Sequence, residues 1–126
     1  MSLRSPLGRV RGLGSAKSGT EHFWVQRVTA VALIPLTLWF VYSVIALAGA
    51  DFATATAWLQ SPTTAVLLLL LIAATFHHMQ LGLQVVIEDY VHGEGVKIAS
   101  LVIMKGASLL LAVAAAFAVL KVAFGG

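Results

Sequence analysis

The stretch Thr63-Thr64-Ala65-Val66-Leu67-Leu68-Leu69-Leu70-Leu71-Ile72-Ala73-Ala74-Thr75-Phe76-His77-His78-Met79-Gln80-Leu81-Gly82-Leu83-Gln84-Val85-Val86-Ile87 decides what kind of molecule this chain makes. It is nearly unbroken apolar sequence, and its polar groups, His77, His78, Gln80 and Gln84, are gathered toward one end. A bilayer core of about 30 Å is crossed by about 20 helical residues rising ~1.5 Å each. This stretch is long enough, and so are two others. Val28 to Ala50 contains nothing more polar than Thr29, Thr37 and Ser43; Val96 to Phe124 carries Lys105 and Lys121. Strands of a membrane barrel would be about half as long and alternate in polarity. These do not.

Composition excludes the other classes. The 126 residues are 60% hydrophobic and only 10% charged, with a mean hydropathy of +0.95. A soluble domain has roughly a quarter of its residues charged, and a globule this small cannot hide so much apolar side chain. Disorder needs the opposite balance. The expectation is an all-α membrane protein with three transmembrane helices, over about 22–49, 62–91 and 96–124. They form one domain, 22–126, behind a basic segment, 1–21. The net charge of +3 and a pI near 9.7 do not indicate nucleic acid. Four of the eight basic residues, Arg4, Arg9, Arg11 and Lys17, precede the first span, where such residues orient a helix. With no cysteine, redox chemistry here would need histidine ligands.

The breaks fit this plan. Gly49-Ala50-Asp51 closes the first span, Ser61-Pro62 opens the second, and His92-Gly93-Glu94-Gly95 turns into the third. Pro35 is tolerable inside a membrane helix. The first apolar run exceeds a signal-peptide core, so it is expected to stay as an anchor. The loop around Asp51 carries no Lys or Arg, whereas the second turn carries Lys97. The N-terminus and second turn are therefore expected on the cytoplasmic side, and the loop 49–62 and the C-terminus on the periplasmic side. Trp24 and Trp58 fall near opposite interfaces. The expected location is a bacterial inner membrane in preference to a mitochondrial one.

Polar groups at membrane depth mark sites or helix contacts. His78 lies 12 residues before Tyr90, ~18 Å from the inner end of its helix. Three readings are open for it: a hydrogen bond to another helix, a proton relay, or an axial haem ligand. Ala74 and Gly82 lie one turn to either side. Asp89 returns to within about 20° of the same face. His77 points about 100° away, and neighbours on one helix cannot ligate one haem from opposite sides.

His78-Met79-Gln80-Leu81-Gly82, with Val85, Val86 and Asp89-Tyr90, resembles the H-x-x-x-G-x-x-x-x-x-x-D-Y pattern of the hydrophobic membrane-anchor subunit of succinate dehydrogenase (complex II, succinate:quinone oxidoreductase). Glu21-His22-Phe23-Trp24-Val25-Gln26-Arg27-Val28-Thr29-Ala30 is similar to that family's entry to its first helix, and the three-helix plan extends the resemblance over nearly the whole chain. The resemblance implies that His78 is an axial ligand of haem b, that Arg27 meets the haem propionates, that Tyr90 hydrogen-bonds ubiquinone and that Asp89 neighbours the quinone. It also implies a second membrane-anchor (cytochrome b) subunit supplying the other ligand, and flavoprotein and iron–sulfur subunits tethered on the inner face. Succinate oxidation would belong to those partners, with no activity in this chain alone.

Plainer roles stand beside these. Arg27 can snorkel, Tyr90 can belong to an interfacial belt, and Asp89 can cap or pair with Lys97. His22 and His92 lie too shallow to share an iron with His78. Glu88 and Glu94 read as solvated, and Lys105 as snorkelling or meeting lipid phosphate. A cofactor-free structural anchor and a small proton-translocating subunit, with His78 and Asp89 as relays, are the competing functions.

Overall fold

A computed structural model describes residues 5–12 and 19–125, and these are helical throughout apart from short connections. The elements are α1 (Pro6–Val10), α2 (Gly19–Ala46), α3 (Phe52–Gln60), α4 (Pro62–Tyr90) and α5 (Glu94–Ala123). Of the leader's cations, Arg9 and Arg11 fall in or beside α1, while Arg4 and Lys17 lie outside the described residues. Three helices, α2, α4 and α5, are long and apolar enough to cross a membrane. At 28, 29 and 30 residues, each is ~42–45 Å long, spanning the hydrocarbon and its interfaces.

Local chemistry sets the ends. Glu21 sits in the first turn of α2, where a negative charge complements the helix dipole. Pro35 lies inside α2 and removes the amide that would bond the Val31 carbonyl. Gly49, at φ 80°, turns the chain after α2 in a conformation other residues adopt at a cost. Ser61 ends α3 and immediately precedes α4, whose first residue is Pro62.

The connection expected between the first two spans is not a loop but α3. Asp51 begins it: its side chain accepts a hydrogen bond from the Thr54 amide at 2.8 Å, satisfying one of the donors a helix start leaves free. The second fixing contact is aromatic. Trp58 of α3 stacks on Trp39 of α2, with ring centroids 5.8 Å apart and planes at 25°.

The arrangement is open. α2 and α5 each pack along α4 and not on one another, and α3 lies against α4 and α5. The three-residue turn 91–93 makes α4 and α5 antiparallel. The buried residues are few and mostly small: Ser43, Thr64, Ala65, Leu68, Leu81 and Ser108. Ser43 donates to the Trp39 carbonyl at 2.8 Å. Larger side chains such as Leu38, Val102 and Leu110 face outward. Lipid is as apolar as leucine, so helices here associate through close approach of small residues and not by hiding large ones.

The α3 cap is testable by pH. Hydrogen bonds from Thr54, its hydroxyl first and its amide next, hold the Asp51 carboxyl below its ordinary range. A carboxylate stabilised in the native state contributes above the pKa of the unfolded chain, and the contribution fades as pH falls through the lower native value. Amide exchange across α3, taken relative to the intrinsic rate at each pH, is expected to be slow at neutral pH and faster in acid. Asp51→Ala should accelerate it several-fold at neutral pH, and Asp51→Asn should keep the protection without the acid dependence.

Candidate functional site

The seam between α2 and α4 gathers the polar groups that lie at membrane depth. His78 is half-buried, and its Nδ1 is 3.1 Å from Thr29 Oγ1. Thr29 Oγ1 also lies 2.8 Å from the Val25 carbonyl and 3.1 Å from that of Gln26. With the hydroxyl hydrogen donated to Val25, the closer acceptor, Thr29 Oγ1 accepts from Nδ1–H. In that arrangement the Nε2 lone pair is free, whereas donation from the hydroxyl to Nδ1, the other arrangement the contact allows, puts the hydrogen on Nε2. A metal-ligating histidine has the first form, with one nitrogen held by a hydrogen-bond acceptor and the other offered to the metal.

One turn nearer the α4–α5 turn, Gly82 lies against Gln26: a Cβ there would stand at ordinary contact distance, 3.8 Å, from Gln26 Nε2. Gln26 Oε1 is buried with no hydrogen-bond partner among the described residues, so the seam carries an unsatisfied acceptor beside the imidazole. Farther along the same face, Val85 borders a hollow of about 240 Å³ with Gly19, His22, Phe23, Gln26 and Arg27. The Arg27 guanidinium stacks 4.8 Å over the Phe23 ring, an attraction to the ring's negative face. His78, Gly82, Val85 and Asp89 recur at helical spacing, so this flank of α4 presents an imidazole, then a cation from α2, then a carboxylate.

His77 serves the other flank of α2. It lines a groove of about 520 Å³ with Thr29, Ala32, Leu36, Leu70, Ala73 and Ala74. It also lines an adjoining hollow of about 270 Å³ with Glu21, His22, Val25, Leu81 and Gln84. The tandem histidines thus differ in direction by ~100°: His77 opens onto these hollows, and His78 meets Thr29. Thr29 and Gln26 are the site residues that sequence reasoning passed over. They sit three apart on one helix face, Gln26 just before the apolar run and Thr29 just inside it.

The remaining candidates are more peripheral. Tyr90 ends α4 with 76% of its surface exposed, and Asp89 beside it is exposed. Neither makes a side-chain hydrogen bond among the described residues, and neither lines the hollows at the seam. Asp89 does not pair with Lys97. Glu88 accepts from Gln84 Nε2 at 2.9 Å. No group of three or more His, Asp or Glu converges on a common point among the described residues.

The family described as succinate dehydrogenase/fumarate reductase transmembrane subunit matches residues 1–120. The chain belongs to that family. The succinate dehydrogenase hydrophobic membrane anchor subunit of Rickettsia bellii (strain RML369-C) is 34% identical over 111 residues, covering 88% of this chain and 89% of its own. The subunit of the same name from Paracoccus denitrificans is 34% identical over 89 residues, 71% of this chain and 69% of its own. The succinate dehydrogenase membrane anchor subunit of Reclinomonas americana is 28% identical over 100 residues, 71% and 77% of the two chains. No solved structure matches the chain. The three apolar helices and the bacterial relatives together make this anchor a multi-pass bacterial membrane protein.

Thr29→Val preserves the side-chain shape of the anchor's seam and removes the oxygen facing His78 Nδ1. The α2–α4 pair should lose about 1 kcal/mol, the upper range for a single hydrogen bond in membrane helices. Reversible unfolding in detergent or bicelles measures it, and Thr29→Ser should recover most of the loss.

Proposed function

We propose that this chain is the anchor through which a succinate:quinone oxidoreductase is held on the bacterial inner membrane, and that its α2–α4 seam forms half of a haem b site. The observation that carries the reading is the His78 imidazole, in contact with Thr29 through Nδ1, with Arg27 and Val85 bordering a hollow two turns farther along α4. The donor set fits the group. A neutral imidazole at membrane depth is a suitable axial ligand, and Arg27 is positioned two turns along α4 to neutralise propionates that would be costly next to lipid. Bound haem would supply a one-electron store inside the membrane.

What the chain's own residues do follows from their depth. Tyr90, at the end of α4, offers a phenol O–H to a ubiquinone carbonyl oxygen while its ring stays against apolar surroundings. Asp89 sets a negative charge beside it at the boundary. His77 cannot be the second ligand, because it faces the other flank, so the companion anchor (cytochrome b) subunit provides that ligand. With Arg9, Arg11 and Lys97 on the cytoplasmic side, the α4–α5 turn and Tyr90 face the compartment where the flavoprotein and iron–sulfur subunits dock. The C-terminus is then periplasmic. A second reading is favoured by the same 3.1 Å contact: a cofactor-free anchor in which His78 only bridges two helices.

A reduced-minus-oxidised spectrum of the purified complex separates the two. The b-type band should be present in the wild type and lost in His78→Ala, while His77→Ala keeps it. A band unchanged in His78→Ala, or absent throughout, leaves the bridging role.

Tyr90→Phe is expected to lower succinate-driven quinone reduction by about 10-fold or more, the effect of removing a hydrogen bond worth about 1.4 kcal/mol at the reacting oxygen. Succinate oxidation by a soluble dye should stay within twofold of the wild type. Equal loss in both assays would remove the phenol from the quinone site.

A further inference from the structure

Lys105 is a cation that this chain cannot neutralise. It stands eleven residues into α5 from Glu94, ~16 Å along the helix and level with His78 on the antiparallel α4. The chain has five carboxylate side chains: Glu21, Asp51, Glu88, Asp89 and Glu94. All five sit at or beside helix ends, so none lies at its depth. Charged side chains inside a membrane are rare and pair with one another or face a protein interior. Here Lys105 does neither. Met104 and Ser108 turn toward α4, whereas Lys105 is exposed, with Val102 and Leu109 exposed on either side.

Snorkelling does not reach far enough. Lys97 and Lys121 bracket the span, and its midpoint is Leu109, so Lys105 lies ~6 Å from the centre. A four-methylene stem carries its ammonium about 6 Å farther, to about 12 Å from the centre. The hydrocarbon boundary is at about 15 Å. A second copy of this chain is no better as a neighbour, because it would bring a second ammonium to the same depth. The required neighbour is an anion fixed inside the hydrocarbon. Beside the cation, Gly106 leaves a notch in which an added Cβ would meet nothing within 4 Å, and small residues allow a foreign helix to approach closely.

We propose that the outward face of α5 around Lys105 and Gly106 receives a transmembrane helix of another subunit, and that this helix presents a carboxylate to Lys105 at mid-membrane depth. The inference rests on the chain's being one subunit of a larger complex.

The test uses the whole complex in native membranes, with an affinity tag on this chain. Dicyclohexylcarbodiimide partitions into the bilayer and joins an amine to a touching carboxylate as an amide, itself taking up the water as a urea. Peptide mapping should find Lys105 joined to one carboxylate on another chain. After mild detergent extraction, Lys105→Met and Lys105→Glu should retain that chain at less than a tenth of the wild-type ratio. Lys105→Arg should retain it within twofold, and reversing both charges should restore it. Wild-type recovery with Lys105→Met overturns the proposal. So does a variant that loses only a bound anionic phospholipid while keeping every subunit, or a carbodiimide product that never includes Lys105. A wild-type chain that brings down no other subunit overturns the subunit reading as well.

Discussion

Among the described residues, the only side-chain hydrogen bond between two different helices is that of Thr29 with His78. Everything at the seam is arranged around it. In water such a bond would add little, because either partner could turn to solvent instead. In hydrocarbon no solvent is available, and the bond selects where α2 crosses α4 and which way the imidazole faces. Thr29 can accept because its hydrogen is occupied by the carbonyl one turn back. The imidazole is therefore aligned by a residue that belongs to its neighbour helix and is itself saturated by its own backbone. Gln26, one turn along, follows the opposite course: its buried carbonyl oxygen has no partner, which marks the flank where the chain is incomplete.

That pairing also explains the use of two adjacent histidines. A helix that meets its neighbour along one line has two flanks, and consecutive residues fall on either side of the line. His78 meets Thr29 at the seam, and His77 faces the groove with Ala32, Leu36 and Ala73. Neither histidine can substitute for the other, because a rotation of α4 large enough to exchange them would also carry Gly82 away from Gln26.

Length and hydropathy made the three spans legible, since no other structure satisfies so many backbone groups in lipid. Periodicity on α4 placed His78, Gly82 and Asp89 on one face. The packing order was not legible. Leucine and valine surround each helix with no apolar stripe, so nothing in α5 tells which side meets α4, and its one buried residue, Ser108, is of a type common elsewhere in the chain. Helix α3 escaped notice because its nine residues are too few to stand out beside the long apolar runs. Its start was nevertheless written in Asp51 and Thr54, at the spacing of a helix cap. Thr29 escaped for the opposite reason: a threonine is the mildest break an apolar span can contain, and only the partner across the seam gives it meaning.

The openness of the fold connects these observations. A row of helices with α4 in the middle cannot surround anything, so a polar group on it either meets another group along a seam or faces out. The seam accounts for Thr29 and His78, and Gln84 finds Glu88 on its own helix. Arg27 is partly screened by the Phe23 ring. What is left over, an orphan oxygen at Gln26, a free nitrogen at His78 and an ammonium at Lys105, is distributed over three helices and at least two faces. Lipid can cover leucine on every side, but it offers nothing to these three. On the proposed reading each takes a partner from outside the chain, and no single partner on one flank could serve all of them. An anchor built this way is completed from more than one direction, with the polar groups specifying contacts that the surrounding leucine, valine and alanine surface cannot.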